Sequence, residues 1–484
     1  AAIGEADWAM RAAPVSFQAR ADAALADPTL KLAIDRTTGT AERKRAAALA
    51  DFPQFAAARE RGKRIKDHVV AHLDHYLAEF ERHAVASGAQ LHWAATADEA
   101  SRIVVELCRQ AGARRVTRVK SMLGEEIGLP HALDEAGFER VETDLAEHIV
   151  QLGGDRPSHI VWPSMHRTRE QVSAMFKRAH RVPHRDETIE AMVDSARREL
   201  RDKFLSADVA ISGANFLVAD TGATCTVTNE GNAELTTSPP RVHIVTAGIE
   251  KLVPSTAHAF ALLRLLVRSA TGAELTQYTT FHCGPRQPGD RDGPQAFHIV
   301  LVDNGRTRML AQPDMREMLR CIRCGACMNH CVVFRQLGGH AYGGTYPGPM
   351  GAVLTPVFDG LDKSRDLPHA CTLNGKCREV CPVDIPLPTL LRGWRDRSWR
   401  EGLEPATMRF GLGVFAFVAS RPALYRLGMS AAVRAMRLFG RGGWVRGMPG
   451  LGAWTRHRDF PAPARKTFMA MLDAGDDGRA GGRR

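Results

Sequence analysis

No run in this 484-residue sequence approaches the 18 or so apolar residues that mark a membrane-spanning helix. The longest candidate, FGLGVFAFVAS (Phe410–Ser420), is about half that length. The opening AAIGEADWAMRAAP lacks a basic segment followed by an apolar one, so no secretory signal is expected there. There is no G-x-G-x-x-G fingerprint in a strand-to-helix context, which leaves no identifiable hydride-accepting dinucleotide site. No nucleic-acid motif is recognised either. The net charge of +11 does not alter that, because it falls on one end. Residues 391–484 hold 18 Lys/Arg and 7 Asp/Glu, leaving 47 of each in residues 1–390. Nucleic acid is therefore not an expected partner, and internal repeats are absent apart from two cysteine-rich runs.

Hydrophobic residues make up 44% and charged residues 25%, a globular composition with room for roughly two to four domains. A core of that size does not need metal to hold it together. Seven of the ten cysteines nevertheless fall between Cys321 and Cys381. In a long chain without a signal sequence, such spacing argues for metal rather than disulfides and for a reducing, cytoplasmic compartment.

Residues 1–89 read as helical, with apolar residues at three- and four-residue spacing from Thr40 to a stop at Ser87-Gly88. Residues 90–305 alternate short strands (QLHWAA, RRVTRVKS, FERVETD, SHIVWP, ADVAISGANFLVAD, TCTVTNEG, RVHIVTAG, QAFHIVLVDNG) with helices such as ADEASRIVVELCRQAGA, GEEIGLPHALDEAG and TAHAFALLRLLVRSAT. That rhythm predicts an α/β domain with a largely parallel sheet. CGPRQPGDRDGPQ is a Gly/Pro-rich loop. Residues 306–390 carry the cysteine runs, separated by RQLGGHAYGGTYPGPMG, a connector unsuited to regular helix. Residues 391–484 are rich in Arg and Trp, and their end, DAGDDGRAGGRR, is expected to be disordered.

The first run, CIRCGACMNHCV, places Cys321, Cys324, Cys327 and Cys331 in C-x₂-C-x₂-C-x₃-C spacing, the iron–sulfur pattern. Iron is held well by soft thiolate, and Gly325 and Ala326 let backbone amides approach. Val332 stands where many such runs have proline. A four-cysteine zinc site is the plainer reading, but it leaves the second run, CTLNGKCREVCP, unexplained. That run has Cys371, Cys377, Cys381 and Pro382, with Asn374 at the second cysteine position. In two-cluster ferredoxins the fourth cysteine of each run serves the other cluster. Cys321, Cys324, Cys327 and Cys381 then form a full set for [4Fe–4S]. Cys331, Cys371 and Cys377 are left with three thiolates, suited to [3Fe–4S], or to a second [4Fe–4S] with Asn374, water or an outside thiol at the fourth iron.

The second run resembles the [3Fe–4S] site, C-x₅-C-x₃-C-P, of the iron–sulfur subunits of succinate dehydrogenase and fumarate reductase, whose fold there is the helical ferredoxin type. Two longer stretches, Val119–Val172 (VKSMLGEEIGLPHALDEAG onward) and Ala207–Ser255 (ADVAISGANFLVADTGATCTVTNEGNAE onward), followed by the paired runs, resemble the lactate-utilization protein B family over roughly residues 40–470. The resemblance implies an α/β fold class: a NagB/RpiA/CoA-transferase-like α/β domain with a helical N-terminal extension, then an α-helical ferredoxin-type two-cluster domain and a basic helical tail. It also implies electron transfer in the oxidation of L-lactate to pyruvate. The implied partners are a CCG-domain cysteine-rich subunit and a small α/β lactate-utilization subunit. The family commonly has a complete second run, so Asn374 is a departure that bears on the second cluster's type.

Other candidates are weaker. CoA-transferase relatives use a glutamate nucleophile, which points to Glu230 in TNEGN and to an alternative function as an acyl/CoA transferase with structural clusters; a redox-sensing binding module is the other alternative. The neighbouring Asn215, Asp220, Thr221, Asn229 and Asn232 fit a strand-end ligand site, though ordinary turn chemistry explains them too. Lys120 and Ser121 precede a helix start, either an anion-binding end or a cap. His166 and Arg167 are a candidate substrate pair or a plain surface loop. Cys108 and Cys225 read as core, and Cys283 beside His282 as a loop thiol. The Arg/Trp tail is a candidate for contact with an electron acceptor, a partner subunit or the inner face of a membrane.

Overall fold

The computed structural model describes residues 16–447, 455 and 459–473. The opening AAIGEADWAMRAAP, Trp454 and nearly all of DAGDDGRAGGRR lie outside them. Two compact units divide the chain, residues 1–398 and 399–484.

The first unit is built on a six-stranded, wholly parallel sheet. Its strands are β1 (Gln90–Ala94), β2 (Arg115–Arg118), β3 (Glu139–Glu142), β4 (Val209–Gly213), β7 (Val242–Gly248) and β10 (Ala296–Val302), in the order β1-β10-β7-β4-β2-β3. A four-stranded sheet, β8-β5-β6-β9, is formed by β5 (Phe216–Val218), β6 (Ala223–Thr228), β8 (Leu252–Val253) and β9 (Tyr278–His282). Side chains alternate across each central strand. Ile244, Val300 and Val302 face one core with Val104, Cys108, Leu129 and Leu133 from helices Ala97–Gln110 and Leu129–Glu135. Val245, Ile299 and Leu301 face the other, with Val69, Leu73 and Phe80. The N-terminal helices Phe55–Ala71 and Leu73–Ala86 therefore cover one face of the sheet. Each fully buried Val, Leu or Ile contributes roughly 1.5–3 kcal/mol.

Several sequence expectations need correction. The N-terminal region is helical up to Ala86, as expected, and its long pattern divides into Pro28–Ala50, Phe55–Ala71 and Leu73–Ala86, with a break around Pro53 where the ring forbids continuation. GEEIGLPHALDEAG splits at Gly128, which is left-handed (φ 67°). SHIVWP is not a strand: His159 Nδ1 accepts the backbone N–H of Val161 and Trp162, folding the segment onto itself. β8 and β9 were not foreseen. The connector between the cysteine runs ends in a helix, Gly348–Asp359, opened by its own Gly-Pro.

β2 and β4 lie side by side, yet the chain leaves β2 outward to β3 and leaves β4 inward to β7. This reversal makes a crevice at the strands' carboxyl ends. The ferredoxin-like segment packs there, within the same unit. Helix Leu387–Arg400 closes it, with the Trp394 indole N–H donating to Val353 O at 3.0 Å. In the second unit, helices Ala406–Ala419 and Pro422–Leu438 pack on each other beside a small antiparallel sheet. Among the described residues no helix is long and apolar enough to cross a membrane.

Candidate iron–sulfur centre and adjoining cleft

The two cysteine runs share one backbone plan. Arg323 and Leu373, each two residues after the first cysteine of its run, are left-handed at φ 60° and 56°. Gly325 and Gly375 are left-handed too (φ 75° and 85°) and open four-residue helices, Ala326–Asn329 and Lys376–Glu379. Among the described residues only four non-glycine positions have positive φ, and Arg323, Leu373 and Asp384 are three of them. Such strain persists where the surroundings enforce it. Here it turns amides toward sulfur: Arg323 N–H donates to Cys321 Sγ (3.4 Å), Leu373 N–H to Cys371 Sγ (3.3 Å) and Ile385 N–H to Cys381 Sγ (3.4 Å).

The thiols fall into two electrostatic neighbourhoods. Cys324 is coupled to Cys381 and Cys321, and Cys327 to Cys324, Cys321 and Cys381. Cys377 is coupled to Cys371 and Cys331. Cys327 also feels Cys377, so the two groups adjoin. Among the described residues no three His, Cys, Asp or Glu side chains converge closely enough for a single metal ion. Burial pushes the Cys377 thiol up to about 12 and the Cys381 thiol up to about 11. Burial raises core Cys108 and Cys225 to about 12 as well, so what sets these runs apart is several thiols brought together on N–H-lined loops, a donor set that suits iron.

Asn374 occupies the place of Cys324. The Cys324 sulfur accepts the N–H of Ala326, two residues on. The Asn374 Oδ1 accepts the N–H of Lys376, also two residues on, at 3.1 Å. The substitution therefore exchanges a thiolate for a neutral amide oxygen on an unchanged loop, and a hard oxygen is a poor ligand for iron among sulfides.

Arginines from elsewhere grip these loops. Arg45 Nη2 donates to Val380 O (2.9 Å), and Arg59 to Cys381 O (2.7 Å), Arg378 O (2.9 Å) and Asp384 Oδ1 (2.7 Å). Arg395 holds Pro368 O and Cys371 O. Lys66, Lys251 and Arg323 sit within electrostatic reach of Cys321, and Arg45 of Cys324 and Cys381. This concentration of cations favours added negative charge at the first group of thiols.

Next to Cys321 opens a cleft of about 290 Å³ at the carboxyl ends of β2, β4 and β7. Its wall includes Lys120, Asn215, Glu230, Lys251, Arg306 and Arg323. Beneath it runs a buried ion-pair network. Arg306 makes a two-pronged contact with Glu126 (2.8 and 2.9 Å) and also pairs with Glu250. Arg323 reaches Glu250 Oε1 (3.3 Å) and stacks over the Tyr346 ring at 4.6 Å, while the Tyr346 hydroxyl donates to Glu126 (2.7 Å). Burial opposes ionisation of Glu250, but Arg306, Arg323 and Lys251 overcome it and hold its carboxyl at about 2. Burial pushes the Lys251 amine down to about 8, with Arg323 adding to the effect.

The sequence candidates divide around this cleft. Lys120, Ser121, Asn215, Asn229, Glu230 and Asn232 line it. Ser121 is also a helix cap, its Oγ accepting Gly124 N–H (3.2 Å), and Lys120 Nζ donates to Val161 O. Glu230 sits at the lip, where its side chain still meets solvent; partial burial and then the Asp144 carboxylate push it up. Asp220 and Thr221 belong instead to the β5–β6 turn. His166 and Arg167 do not line the cleft and are not a plain surface loop: both bind Asp155, and His166 is buried against Ser158 (3.0 Å). They lock the 155–167 segment. Cys108 and Cys225 are buried, and Cys283 is exposed. Sequence reasoning missed Arg45, Arg59, Lys66, Glu126, Glu250, Lys251, Arg306, Arg323 and Tyr346. Only Arg323, inside the first run, carried a positional signal.

Comparison with known proteins places three families along the chain: LUD domain over residues 77–302, 4Fe-4S dicluster domain over 317–385, and Lactate utilisation protein B, C-terminal, over 388–475. The Uncharacterized electron transport protein YkgF of Escherichia coli (strain K12) is 39% identical, covering 94% of this chain and 96% of its own. Lactate utilization protein B of Bacillus thuringiensis (strain Al Hakam) is 42% identical, covering 85% and 86%. The crystal structure of a DUF162 family protein from Deinococcus radiodurans aligns with 48% of this chain and 98% of its own at 13% identity, with a TM-score of 0.27, too slight a likeness to bear on the fold.

Proposed function

Because the chain belongs to the lactate utilization protein B family, we propose that it is the iron–sulfur electron-transfer subunit of a multi-subunit complex oxidising L-lactate to pyruvate. Cys321, Cys324, Cys327 and Cys381 would hold a [4Fe–4S] cluster, and Cys331, Cys371 and Cys377 a [3Fe–4S] cluster. Such clusters supply one-electron acceptance and release. The chain's own residues supply the rest. Amides and arginines fix the loops, and cations near Cys321 favour reduction there. The cleft beside Cys321 offers a place for a small ligand at the sheet's switch point. The partners in this reading are the CCG-domain cysteine-rich subunit and the small α/β lactate-utilization subunit.

One observation carries the cluster assignment: Asn374 takes the N–H that corresponds to the one taken by Cys324 sulfur. A transferase using Glu230 has less behind it, since that carboxylate lies at an open lip. Anaerobic EPR of the purified protein tests the assignment. The oxidised protein is expected to show the [3Fe–4S]⁺ signal. Asn374→Cys is expected to abolish that signal and raise iron from about seven to about eight per chain, on the cluster stoichiometries named. An oxidised protein with intact clusters and no such signal would sink the assignment. Glu230→Ala is expected to leave lactate-dependent cluster reduction unchanged.

A further inference from the structure

The helices Ala406–Ala419 and Pro422–Leu438 bury no residue at all. The first, ATMRFGLGVFAFVA, is apolar around nearly its whole circumference, with Thr407 and Arg409 its only polar side chains. A helix of that kind is ordinarily enclosed. Here Phe410 is 75% exposed, Phe415 59% and Phe417 56%, and Leu427 on the second helix is 70% exposed. The patch continues through Leu412, Val414 and Leu438. Contiguous apolar surface of this kind marks a contact with something else.

Charge says what that contact is. Residues 405–458 contain nine arginines and no aspartate or glutamate. The side chains of Arg434 and Arg441 make no ion pair or hydrogen bond among the described residues. Among the described residues Arg426 and Arg446 pair with exposed Asp473 and Asp459, from outside that stretch. Arg421 folds over the Phe417 ring at 3.7 Å, joining cation to apolar face as headgroup-level side chains do. At about 1.5 Å per residue the first helix is roughly 21 Å long, too short to cross a hydrocarbon core of about 30 Å. A short apolar helix paired with a second helix that carries arginines can together present an apolar face to acyl chains and cations to headgroups, the arrangement of an interfacial segment.

We propose that the 406–438 hairpin docks the protein on an anionic lipid surface, laying Phe410, Phe415 and Phe417 among the acyl chains while Arg421, Arg434 and Arg441 meet the phosphates. A soluble acidic partner would suit the arginines, but it gives less reason for a helix apolar on all sides.

Flotation of the full-length, cluster-loaded protein with vesicles tests this. Phosphatidylcholine vesicles containing phosphatidylglycerol should carry the protein at least tenfold better than phosphatidylcholine alone. High salt should reduce that advantage, because surface attraction is screened. Phe410→Asp with Phe415→Asp should lower binding to anionic vesicles at least tenfold, with the visible cluster absorbance unchanged. Arg434→Glu with Arg441→Glu should lower it several-fold. The proposal is overturned if the unmodified protein ignores anionic vesicles. It is also overturned if the protein self-associates through this hairpin and vesicles fail to compete, or if the phenylalanine variants float as well as the parent. The first and second outcomes are read without any variant, so a misfolded substitution does not shield the idea.

Discussion

At the scale of single residues, Arg306 decides more than its position suggests. It is 2% exposed and serves two buried carboxylates, Glu126 and Glu250, which share the base of the cleft with Tyr346 and Arg323. Such groups stabilise little as a set, because each charge has lost its water. Removing one partner is different, since the others remain buried and uncompensated. Arg306→Met is therefore expected to destabilise the protein by about 3–5 kcal/mol, measured as a shift in urea denaturation. A change below about 1 kcal/mol would mean that the carboxylates take up protons or water and that the network is looser than drawn. Asn374 is the contrasting case, an exposed residue whose replacement should leave stability nearly untouched and alter only what the loop holds.

At the scale of elements, Gly222 shows how the N-terminal helices are seated. It is left-handed at φ 69° in the β5–β6 turn, and a Cβ there would lie 2.2 Å from Ala84 N and 2.5 Å from His83 C, in the backbone of helix Leu73–Ala86. Gly222→Ala adds backbone strain to a clash with an atom that cannot rotate away. The expected loss is about 2–5 kcal/mol, read from the urea midpoint; a neutral result would show that the helix floats over the turn. None of this was visible in TGATC, where a glycine after Asp220-Thr221 reads as an ordinary turn. The alternation that predicted the parallel sheet was visible, because each central strand buries both faces and reads as an apolar run. The cysteine spacing was equally plain, since ligand geometry is written in short intervals. SHIVWP misled because its apolar residues serve a folded-back segment held by His159. Arg45, Arg59, Glu126 and Glu250 were illegible because their partners lie dozens to hundreds of residues away, and no local period records that.

At the scale of the whole molecule, three pairs of buried or half-buried histidines face each other among the described residues. His148 Nε2 lies 3.1 Å from His180 Nε2, His92 Nε2 lies 3.2 Å from His298 Nδ1, and the rings of His243 and His282 are 4.8 Å apart. Burial, then the neighbouring imidazole, pushes His148 and His298 down to about 4 and His243 well below its ordinary value. An unfolded histidine titrates near 6.5. Between about 6.5 and 4 the unfolded chain therefore binds more protons than the folded one, and stability must rise with pH across that window. It is complete above 6.5 and lost as the pH falls toward 4, with each such histidine adding up to about 1.4 kcal/mol per pH unit. Denaturation midpoints measured from pH 7 to 5, with cluster absorbance followed in parallel, should fall steeply. A flat profile would place these rings in contact with water.

The grip of the N-terminal helices on the second cysteine run also sets an order of events during synthesis. Arg45 finds its carbonyl at Val380, 335 residues downstream, and Arg59 finds its partners at Arg378, Cys381 and Asp384. A ribosome adding roughly 5–20 residues per second needs on the order of half a minute to make that stretch. For most of that interval the sheet face the first helices cover is also incomplete, because β10 (Ala296–Val302) is still to be made, and the loop they hold is absent throughout. The iron-binding segment emerges into a structure whose clamp is already made and still open. Arg45 and Arg59, in the oldest part of the nascent chain, therefore make these contacts only after the second cysteine run has been made.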